Sequence, residues 1–275
     1  MSGQKQLLVV TDLDASLLDH EYSWSSAKPA LAKLKSMGVP LVLNSSKTVA
    51  EMQNLADDLA IRSLIVAENG GLLAVNTNLG LVPESGTSRR SGDYLIEING
   101  LSRDFILSHA HALRVEAGYR FSGFGDWSAE GIAERTGLSV ESAQRSKERF
   151  ATEPILWDDT DQRLAQFETE LSKKQIRILR GGRFLHLMGL ADKADGSAAA
   201  LKLFQKAQPA VDWLVVALGD SANDRAMLEA ADIAVVIPHE DGPHITPKAP
   251  RVVHAPFPSS KGWNAALLSI LDEFC

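Results

Sequence analysis

Short apolar runs without alternation are the feature that most restricts how this chain can fold. Residues 7–11 read Leu-Leu-Val-Val-Thr, and similar runs at 39–43, 63–67 and 213–218 stand next to predicted helices, the first at 27–37. The helix predicted at 48–59 carries its own start signal, Thr48 followed by Glu51. Strands that are apolar at every position are typical of a parallel sheet with both faces covered by helices. We therefore expect an α/β fold with right-handed crossovers.

The pattern changes in the middle of the chain. Residues 76–92 are rich in Gly, Ser, Thr and Asn, which indicates a boundary or hinge. Shorter strand candidates follow at 94–98, 155–157, 176–179 and 183–187, with helices at 102–116 and 161–173. Arg180-Gly181-Gly182 between the last two strands predicts an antiparallel hairpin. We therefore predict an α/β core of residues 1–84 and 190–275, with an α+β domain of residues 85–189 inserted into it.

Composition narrows the class of protein and of partner. The chain has 275 residues, of which 45% are apolar, so it can bury a substantial core. Its formal net charge of −7 and the lack of a Lys/Arg stripe argue against nucleic acid as a partner. No apolar run reaches the roughly 20 residues that span a bilayer, and the single cysteine, Cys275, cannot form an intrachain disulfide. We expect a cytoplasmic protein without a membrane partner, and the sequence carries no signal for an oligomeric state.

An acid pair follows the first buried strand. In an open parallel sheet the carboxyl ends of the strands share one rim, where ligands bind, and Asp12 and Asp14 are predicted to lie there. One carboxylate can attack phosphorus as a nucleophile while its neighbour moves protons to and from the leaving and entering oxygens. The alternative is a pair of loop acids, one of which makes a turn or caps a helix.

A second acid pair, Asp220 and Asp224, follows the strand at 213–218 and flanks Asn223. Magnesium prefers oxygen ligands and usually takes one or two carboxylates besides water and phosphate oxygens. Asp12, Asp220 and either Asp224 or Asn223 can provide such a set, which predicts a Mg²⁺ site. The alternative, that Ser221 or Asn223 caps the next helix, is compatible with metal binding.

Candidate phosphate ligands lie at the same predicted rim. Ser45 and Ser46 stand between the second strand and its helix, where hydroxyls and free backbone amides bind anions. Lys193 precedes a helix predicted at 195–205 and can place a positive charge on a phosphate. Each has an ordinary alternative, an N-cap for a serine and a solvated surface position for a lysine. Their joint placement with both acid pairs favours the functional interpretation.

Taken in order, Asp12-Leu13-Asp14, Ser45, Lys193 and Gly219-Asp220-Ser221-Ala222-Asn223-Asp224 resemble the four signature motifs of the haloacid dehalogenase (HAD) superfamily of phosphatases. The resemblance implies a Rossmann-like parallel core. Because the insertion falls between the second and third motifs, it also implies a cap domain of the C2B type.

The resemblance implies a role for each motif residue. Asp12 would be the nucleophile that forms an aspartyl-phosphate, and Asp14 would be the general acid and base. Ser45 and Lys193 would bind phosphate, and we add Ser46 and Asn223 from their own positions as candidate phosphate and substrate ligands. The Mg²⁺ ligands would be Asp12, Asp220, Asp224 and the backbone carbonyl of Asp14.

The chain departs from the superfamily at one point, since Ala15-Ser16 stands where Gly-Thr is usual. Serine keeps the hydroxyl group. Alanine lacks the freedom of glycine at positive φ, which is harmless unless the loop requires such a conformation. We expect an effect on rate and not on the class of reaction.

Three segments, residues 44–48, 68–71 and 181–189, resemble the mannosyl-3-phosphoglycerate phosphatase family within the superfamily. This implies hydrolysis of mannosyl-3-phosphoglycerate to mannosylglycerate, a compatible solute, and phosphate. In the third segment Arg183 can pair with the carboxylate of the substrate, and His186 can hydrogen-bond a sugar or phosphate oxygen. They are three residues apart on a predicted strand and so face opposite sides, which leaves one of them to reach the ligand. The alternatives are a surface arginine at a hairpin end and a histidine packed on a helix.

Two other functions are compatible with these residues. A phosphatase or phosphomutase for another sugar phosphate, such as glucosyl-3-phosphoglycerate, would share the core motifs. A non-catalytic sugar-phosphate sensor would be more attractive if Asp12 or Asp14 were replaced, and both are present. The sequence therefore predicts a magnesium-dependent phosphatase whose partner is a small phosphorylated sugar derivative.

Overall fold

The structure is a computed structural model that describes residues 4–59, 64–83 and 88–274. Its strands are, in chain order, β1 (Gln4–Thr11), β2 (Leu41–Asn44), β3 (Leu64–Ala67), β4 (Leu72–Asn76), β5 (Arg89–Ser91), β6 (Tyr94–Ile98), β7 (Phe121–Gly123), β8 (Thr152–Trp157), β9 (Arg177–Arg180), β10 (Leu185–Met188), β11 (Val211–Gly219), β12 (Ile233–Val236) and β13 (Arg251–His254). Its α-helices are α1 (Lys28–Met37), α2 (Val49–Asp58), α3 (Arg103–Ala117), α4 (Ala129–Thr136), α5 (Val140–Lys147), α6 (Asp161–Ser172), α7 (Lys193–Ala207), α8 (Arg225–Glu229) and α9 (Ser259–Glu273). Within these described ranges, no helix combines the length and the apolar character that crossing a membrane requires. The interpretation of Cys275 lies outside the described residues.

The larger sheet has the order β13-β12-β11-β1-β2-β3-β4-β6-β5. β1 pairs in parallel with β2 on one side and with β11 on the other. Pairing is parallel from β13 to β3, whereas β4, β6 and β5 continue the sheet in antiparallel pairs. The predicted α/β sheet is confirmed, with an antiparallel extension at one edge.

β1 is apolar at successive positions because both of its faces are buried. Leu7 and Val9 pack on the face covered by α1, α2 and α9, whereas Leu8 and Val10 pack on the face covered by α7 and α8. All four side chains are at most 2% exposed. The sheet is therefore the middle layer of three, which explains the lack of alternation in the sequence.

Two helix ends follow from local sequence signals. The Thr48 hydroxyl accepts a hydrogen bond from the Glu51 backbone nitrogen at 3.2 Å, and the Glu51 carboxylate accepts one from the Thr48 nitrogen at 2.8 Å. This reciprocal pair starts α2 as predicted. Gly38, with a φ of +68°, ends α1 in the left-handed conformation that glycine adopts without strain.

The inserted α+β region has its own antiparallel sheet, in the order β7-β8-β10-β9. β9 and β10 form the predicted hairpin, with Leu185 opposite Arg180. α3 and α6 cover this sheet through a core that includes Ile106 and Phe167. α4 and α5 contribute Ile132 and Ala143 to a smaller apolar cluster around Phe124.

One strand lies in a different sheet from the one expected. We expected residues 94–98 in the inserted region, but β6 pairs with β4 and extends the larger sheet. The reason is that β4 follows Gly71 directly and turns back beside β3, a reversal that the continuous apolar pattern does not reveal. We therefore propose a first domain boundary after Ile98 in place of 84. Residues 84–87, inside the predicted boundary segment, lie outside the described residues.

Candidate active site

The carboxyl ends of β1, β2, β3 and β11 meet at one rim of the larger sheet. All but one of the core residues predicted from the sequence follow these strand ends, and Lys193 is the first residue of α7. The residues gathered there are Asp12, Asp14, Ser45, Ser46, Lys193, Asp220, Asn223 and Asp224.

Three buried aspartates form the centre of this rim. Carboxylate oxygens of Asp12, Asp220 and Asp224 lie within 4.8 Å of one another, and none of these residues is more than 6% exposed. The ammonium of Lys193 donates to Asp12 Oδ1 at 2.5 Å and to Asp224 Oδ1 at 2.6 Å. A single lysine thus crosslinks two carboxylates that would otherwise be buried without a cation.

Crowding of like charges perturbs the proton affinities in this cluster. Burial opposes the charged form of Lys193, but Asp12 and Asp224 outweigh it and raise the pKa of the ammonium. Burial and then the neighbouring Asp224 carboxylate raise the pKa of Asp12, and the same two causes raise the pKa of Asp220. Negative charge is therefore in excess at this point.

The donor set fits Mg²⁺. At their formal charges, the three carboxylates and one ammonium sum to −2, which a divalent cation matches. Carboxylate oxygens are the hard ligands that magnesium prefers, and one or two of them, with water and phosphate oxygens, are a usual set. Asp12, Asp220 and Asp224 are therefore the residues that can hold the metal.

The loop after β11 is folded around one of these carboxylates. Asp224 Oδ2 accepts hydrogen bonds from the backbone nitrogens of Asp220 at 3.0 Å and Ser221 at 3.1 Å. Gly219 leaves the room for this, because a Cβ there would lie 2.6 Å from the Asp224 Cβ. The spacing of the acids in this segment is thus a requirement of loop geometry as well as of chemistry.

Asp14 lies at the edge of the cluster and is the more accessible of the first acid pair. Its Oδ2 is 2.9 Å from Lys47 Nζ, and its side chain is 46% exposed, whereas Oδ1 is buried and has no hydrogen-bond partner among the described residues. A carboxyl that is partly exposed and has one oxygen without a partner can exchange a proton with a bound substrate. Sequence reasoning did not single out Lys47, although it belongs to the same strand-end loop as Ser45.

The loop that follows β1 and carries Ala15 requires the backbone conformation for which glycine is usual. Ala15 has a φ of +57°, a conformation that costs an alanine about 1–2 kcal/mol. The replacement of glycine is therefore a source of strain. Ser16 keeps the function of its hydroxyl, which donates to Asp220 Oδ1 at 3.4 Å.

The candidate phosphate loop after β2 is held by its neighbours. The backbone nitrogen of Asn69 donates to the carbonyl of Ser45 at 2.9 Å. The side chain of Asn44, one residue earlier, donates to the carbonyl of Lys193 at 2.8 Å. The serines and the lysine are thus positioned by the same set of contacts, although they are about 150 residues apart.

Glu68 ties the inserted region to this rim. The side chain is fully buried, and its carboxylate accepts hydrogen bonds from the backbone nitrogens of Phe150 at 2.8 Å and Ala151 at 3.1 Å. A third hydrogen bond comes from the Thr152 hydroxyl at 2.7 Å. Sequence reasoning assigned no role to Glu68, because its partners belong to a distant part of the chain.

A histidine that sequence reasoning also missed touches the acid cluster. His239 Nε2 lies 2.7 Å from Asp220 Oδ2, without the geometry of a hydrogen bond, and its ring stacks on His244 with 3.8 Å between centroids. His239 follows the end of β12. The strand-end rule applied to that strand would have found it.

A cavity of about 440 Å³ lies between this rim and the β9–β10 hairpin. Its polar lining residues are Ser46, Asn69, Ser221, Asn223, Arg180 and His186. On the core side Asn223 Nδ2 lies 3.4 Å from Asn69 Oδ1, which joins two of the loops. The volume is in the range of small-metabolite sites.

The structure brings His186 to this cavity but not Arg183. Burial and then the charge of Arg149 lower the pKa of His186 to about 3, so the imidazole is neutral near pH 7. Arg183 is exposed, and its guanidinium donates to the carbonyl of Arg135 in α4. One of the two residues faces the cavity, but not because they alternate on one strand, since β10 begins at Leu185 and Arg183 lies in the hairpin turn. The position of Arg183 does not support its expected contact with a substrate carboxylate.

Comparisons of sequence agree with the chemistry of the cluster. A family model described as haloacid dehalogenase-like hydrolase matches residues 9–241. The glucosyl-3-phosphoglycerate/mannosyl-3-phosphoglycerate phosphatase of Persephonella marina is 34% identical over 97% of this chain and 98% of its own length. The protein of the same name from Methanococcoides burtonii is 31% identical over 97% of both chains.

Solved structures share the architecture. A haloacid dehalogenase-like hydrolase from Bacteroides thetaiotaomicron has a TM-score of 0.62 and 16% identity, covering 99% of this chain and 100% of that one. A HAD subclass IIB sugar phosphatase has a TM-score of 0.60 and 15% identity, covering 98% and 99%. At such identities the likeness concerns the fold, which includes both the large sheet and the inserted region.

Proposed function

Because the chain belongs to the haloacid dehalogenase-like hydrolases and is a phosphoric monoester hydrolase, we propose that it releases phosphate from mannosyl-3-phosphoglycerate. The second product is mannosylglycerate. Both curated relatives are named for the glucosyl and the mannosyl substrate alike, so glucosyl-3-phosphoglycerate is the second candidate.

The buried cluster of Asp12, Asp220 and Asp224 with Lys193 is the observation that carries the proposal. Asp12 attacks phosphorus, the bond between phosphorus and the glycerate oxygen breaks, and protonated Asp14 gives its proton to that oxygen. Asp14 then takes a proton from water, whose oxygen displaces Asp12 from phosphorus and restores the enzyme. Lys193 stays paired with both carboxylates and offsets the charge of the phosphate.

Mg²⁺ fits the site through Asp12, Asp220 and Asp224, with the backbone carbonyl of Asp14 as a further proposed ligand. When bound, the ion neutralises charge on the phosphate oxygens. Ser45 and Ser46 lie at the strand end beside the cluster, where their hydroxyls and the backbone amide of Ser46 can hold the same oxygens.

The cavity next to the cluster supports a substrate larger than a simple phosphate ester. Neutral His186 and the amides of Asn69 and Asn223 can each donate or accept hydrogen bonds with sugar hydroxyls. The size of about 440 Å³ accommodates a monosaccharide joined to a three-carbon acid.

The test is phosphate release from mannosyl- and glucosyl-3-phosphoglycerate, 3-phosphoglycerate and hexose phosphates, with Mg²⁺ and with chelator. We expect rapid, chelator-sensitive release from the glycosyl-3-phosphoglycerates and little from the others. Asp12→Asn should abolish release, whereas the same change at exposed Asp57 on α2 should leave it unchanged.

Each other outcome removes a definite part of the proposal. Release confined to hexose phosphates would keep the chemistry and discard the substrate. Isomer formation in excess of phosphate release would indicate a phosphomutase. Full activity of Asp12→Asn would remove Asp12 from the role of nucleophile, and no turnover of any ester would favour a sensor.

A further inference from the structure

The cavity above the acid cluster has an unusual balance of charge for this acidic protein. The formal net charge of the chain is −7, yet none of the described residues that line the cavity is a carboxylate. Among these lining residues Arg180 is the charged one, and the others are polar and neutral, apolar, or glycine. This part of the site therefore suits a ligand that carries an anionic group in addition to hydroxyls.

Arg180 is the last residue of β9, at the turn of the hairpin that faces the core rim. It is exposed, and among the residues that the structure describes its guanidinium has no ion pair, hydrogen bond or aromatic contact. The side chain has five N–H groups in a planar fork and is charged at all physiological pH values. An unpaired fork at the edge of a cavity is free to bind a carboxylate.

The other arginines around the hairpin are occupied. Arg183 donates to the carbonyl of Arg135, and Arg177 donates to the carbonyls of Gly189 at 3.1 Å and Ala191 at 2.9 Å. Arg149 donates to the Ser46 carbonyl at 3.3 Å. Arg180 is thus distinguished from its neighbours by lacking such a contact.

The turn that carries Arg180 is packed against the cavity wall. A Cβ at Gly181 would lie 3.0 Å from the Phe184 carbonyl and 3.1 Å from His186 Nε2, so the backbone approaches the imidazole closely. His186 Nδ1 has no hydrogen-bond partner among the described residues. The hairpin therefore presents a cation and a neutral ring to the same space, and only the cation can compensate a negative charge.

We propose that Arg180 binds the carboxylate of the phosphorylated acid and thereby selects phosphoglycerate-based substrates over phosphate esters without a carboxylate. The proposal rests on the proposed function, since a glycosyl-3-phosphoglycerate carries its carboxylate on the same three-carbon unit as its phosphate. With the phosphate at Lys193 and the metal ligands, a carboxylate left without a cation in the cavity would be unfavourable. The fork of Arg180 can engage both carboxylate oxygens.

The experiment compares two ligands that differ in one group. 3-Phosphoglycerate has a carboxylate where glycerol 3-phosphate has a hydroxymethyl group, and both carry the same phosphate. Their dissociation constants are measured by calorimetry with Mg²⁺ in the Asp12→Asn background, so that turnover does not interfere. Arg180→Gln, Arg180→Lys and the matched control Arg183→Gln are added to that background.

We expect Arg180→Gln to weaken binding of 3-phosphoglycerate by about 10- to 100-fold, because a charge-assisted hydrogen-bonded pair is lost. Binding of glycerol 3-phosphate should weaken by less than about twofold, since this ligand has no carboxylate. Arg180→Lys should recover part of the difference because it keeps the charge without the fork. Arg183→Gln should change neither constant. Either of two results for Arg180→Gln would overturn the proposal: an equal loss of affinity for both ligands, or no loss for either. The proposal would also be overturned if the Asp12→Asn protein did not prefer 3-phosphoglycerate to glycerol 3-phosphate.

The binding experiment and the phosphate-release experiment can fail separately. If the wild-type protein does not hydrolyse glycosyl-3-phosphoglycerates but Arg180 still sets the preference for 3-phosphoglycerate, the proposed substrate is wrong and the carboxylate site stands. If the glycosyl esters are hydrolysed and Arg180→Gln has no selective effect on binding, the proposed substrate stands and the carboxylate site is wrong.

Discussion

Replacing Glu68 by glutamine should destabilise the protein strongly although the two side chains have the same shape. The carboxylate accepts hydrogen bonds from the Phe150 and Ala151 nitrogens and from the Thr152 hydroxyl, in a fully buried position. An amide has one acceptor oxygen, and its NH₂ group must face a donor whichever way it turns. If the oxygen stays near Ala151 and Thr152, the Phe150 N–H meets the NH₂ group.

The magnitude follows from counting those contacts. One buried backbone N–H left without an acceptor costs about 1–3 kcal/mol, and the remaining hydrogen bonds lose the added strength of a charged acceptor. We therefore expect Glu68→Gln to lower the free energy of unfolding by about 2–5 kcal/mol. This is a large part of the roughly 5–15 kcal/mol that is typical of folded proteins.

Urea unfolding followed by tryptophan fluorescence measures the effect. Thr152→Val removes one of the three hydrogen bonds and should cost less than Glu68→Gln, about 1.5–3 kcal/mol. Glu141→Gln, on the exposed face of α5, removes only a surface ion pair and should cost at most about 0.5 kcal/mol. A loss for Glu68→Gln no greater than that of Glu141→Gln would refute the reasoning, because the carboxylate would then not hold the two regions together.

Three further predictions concern the site. Ala15→Gly should relieve the strain of a φ of +57° and, after the entropy cost of glycine, stabilise the protein by about 0–1 kcal/mol in urea titrations. A clear decrease in the free energy of unfolding would show that Ala15 is not strained. His186 has a pKa lowered from 6.5 to about 3, so the folded state binds fewer protons than the unfolded state between these values, and stability falls as pH drops through that range. His186→Gln should make this fall shallower by up to about 1.4 kcal/mol per pH unit, and identical pH profiles would show that the ring is not neutral in the folded protein. Mg²⁺ at 100 times its dissociation constant should raise the free energy of unfolding by about 2.7 kcal/mol, an increment that Asp220→Asn should largely remove and that chelator should reverse.

The parts of the fold that could be predicted are those with a local cause. β1 has no alternation because both faces are covered, and α2 starts where Thr48 and Glu51 cap each other, so both patterns are visible in a few residues. The placement of β6 could not be predicted, because it depends on the reversal of β4 beside β3, which is a tertiary event. An apolar strand has the same composition in either sheet.

The same distinction separates the predicted from the unpredicted parts of the site. Strand-end reasoning gathers Asp12, Ser45 and Asp220 because the rim of a parallel sheet is a property of the fold class. Whether Arg180 or Arg183 reaches the cavity depends on the direction in which the hairpin turn faces the core. The separation of the two residues in the sequence does not specify that direction.

The position of β1 between β2 and β11 has a consequence for how the chain acquires its structure during synthesis. Gln4 pairs with Val211, so one edge of β1 stays without its partner until β11 has left the ribosome. Such long-range pairing slows folding and leaves an unpaired edge available to other chains. Nascent chains that end before β11 should therefore be the species most in need of a chaperone, and the cluster of Asp12, Asp220 and Asp224 cannot assemble before the ribosome has passed Asp224.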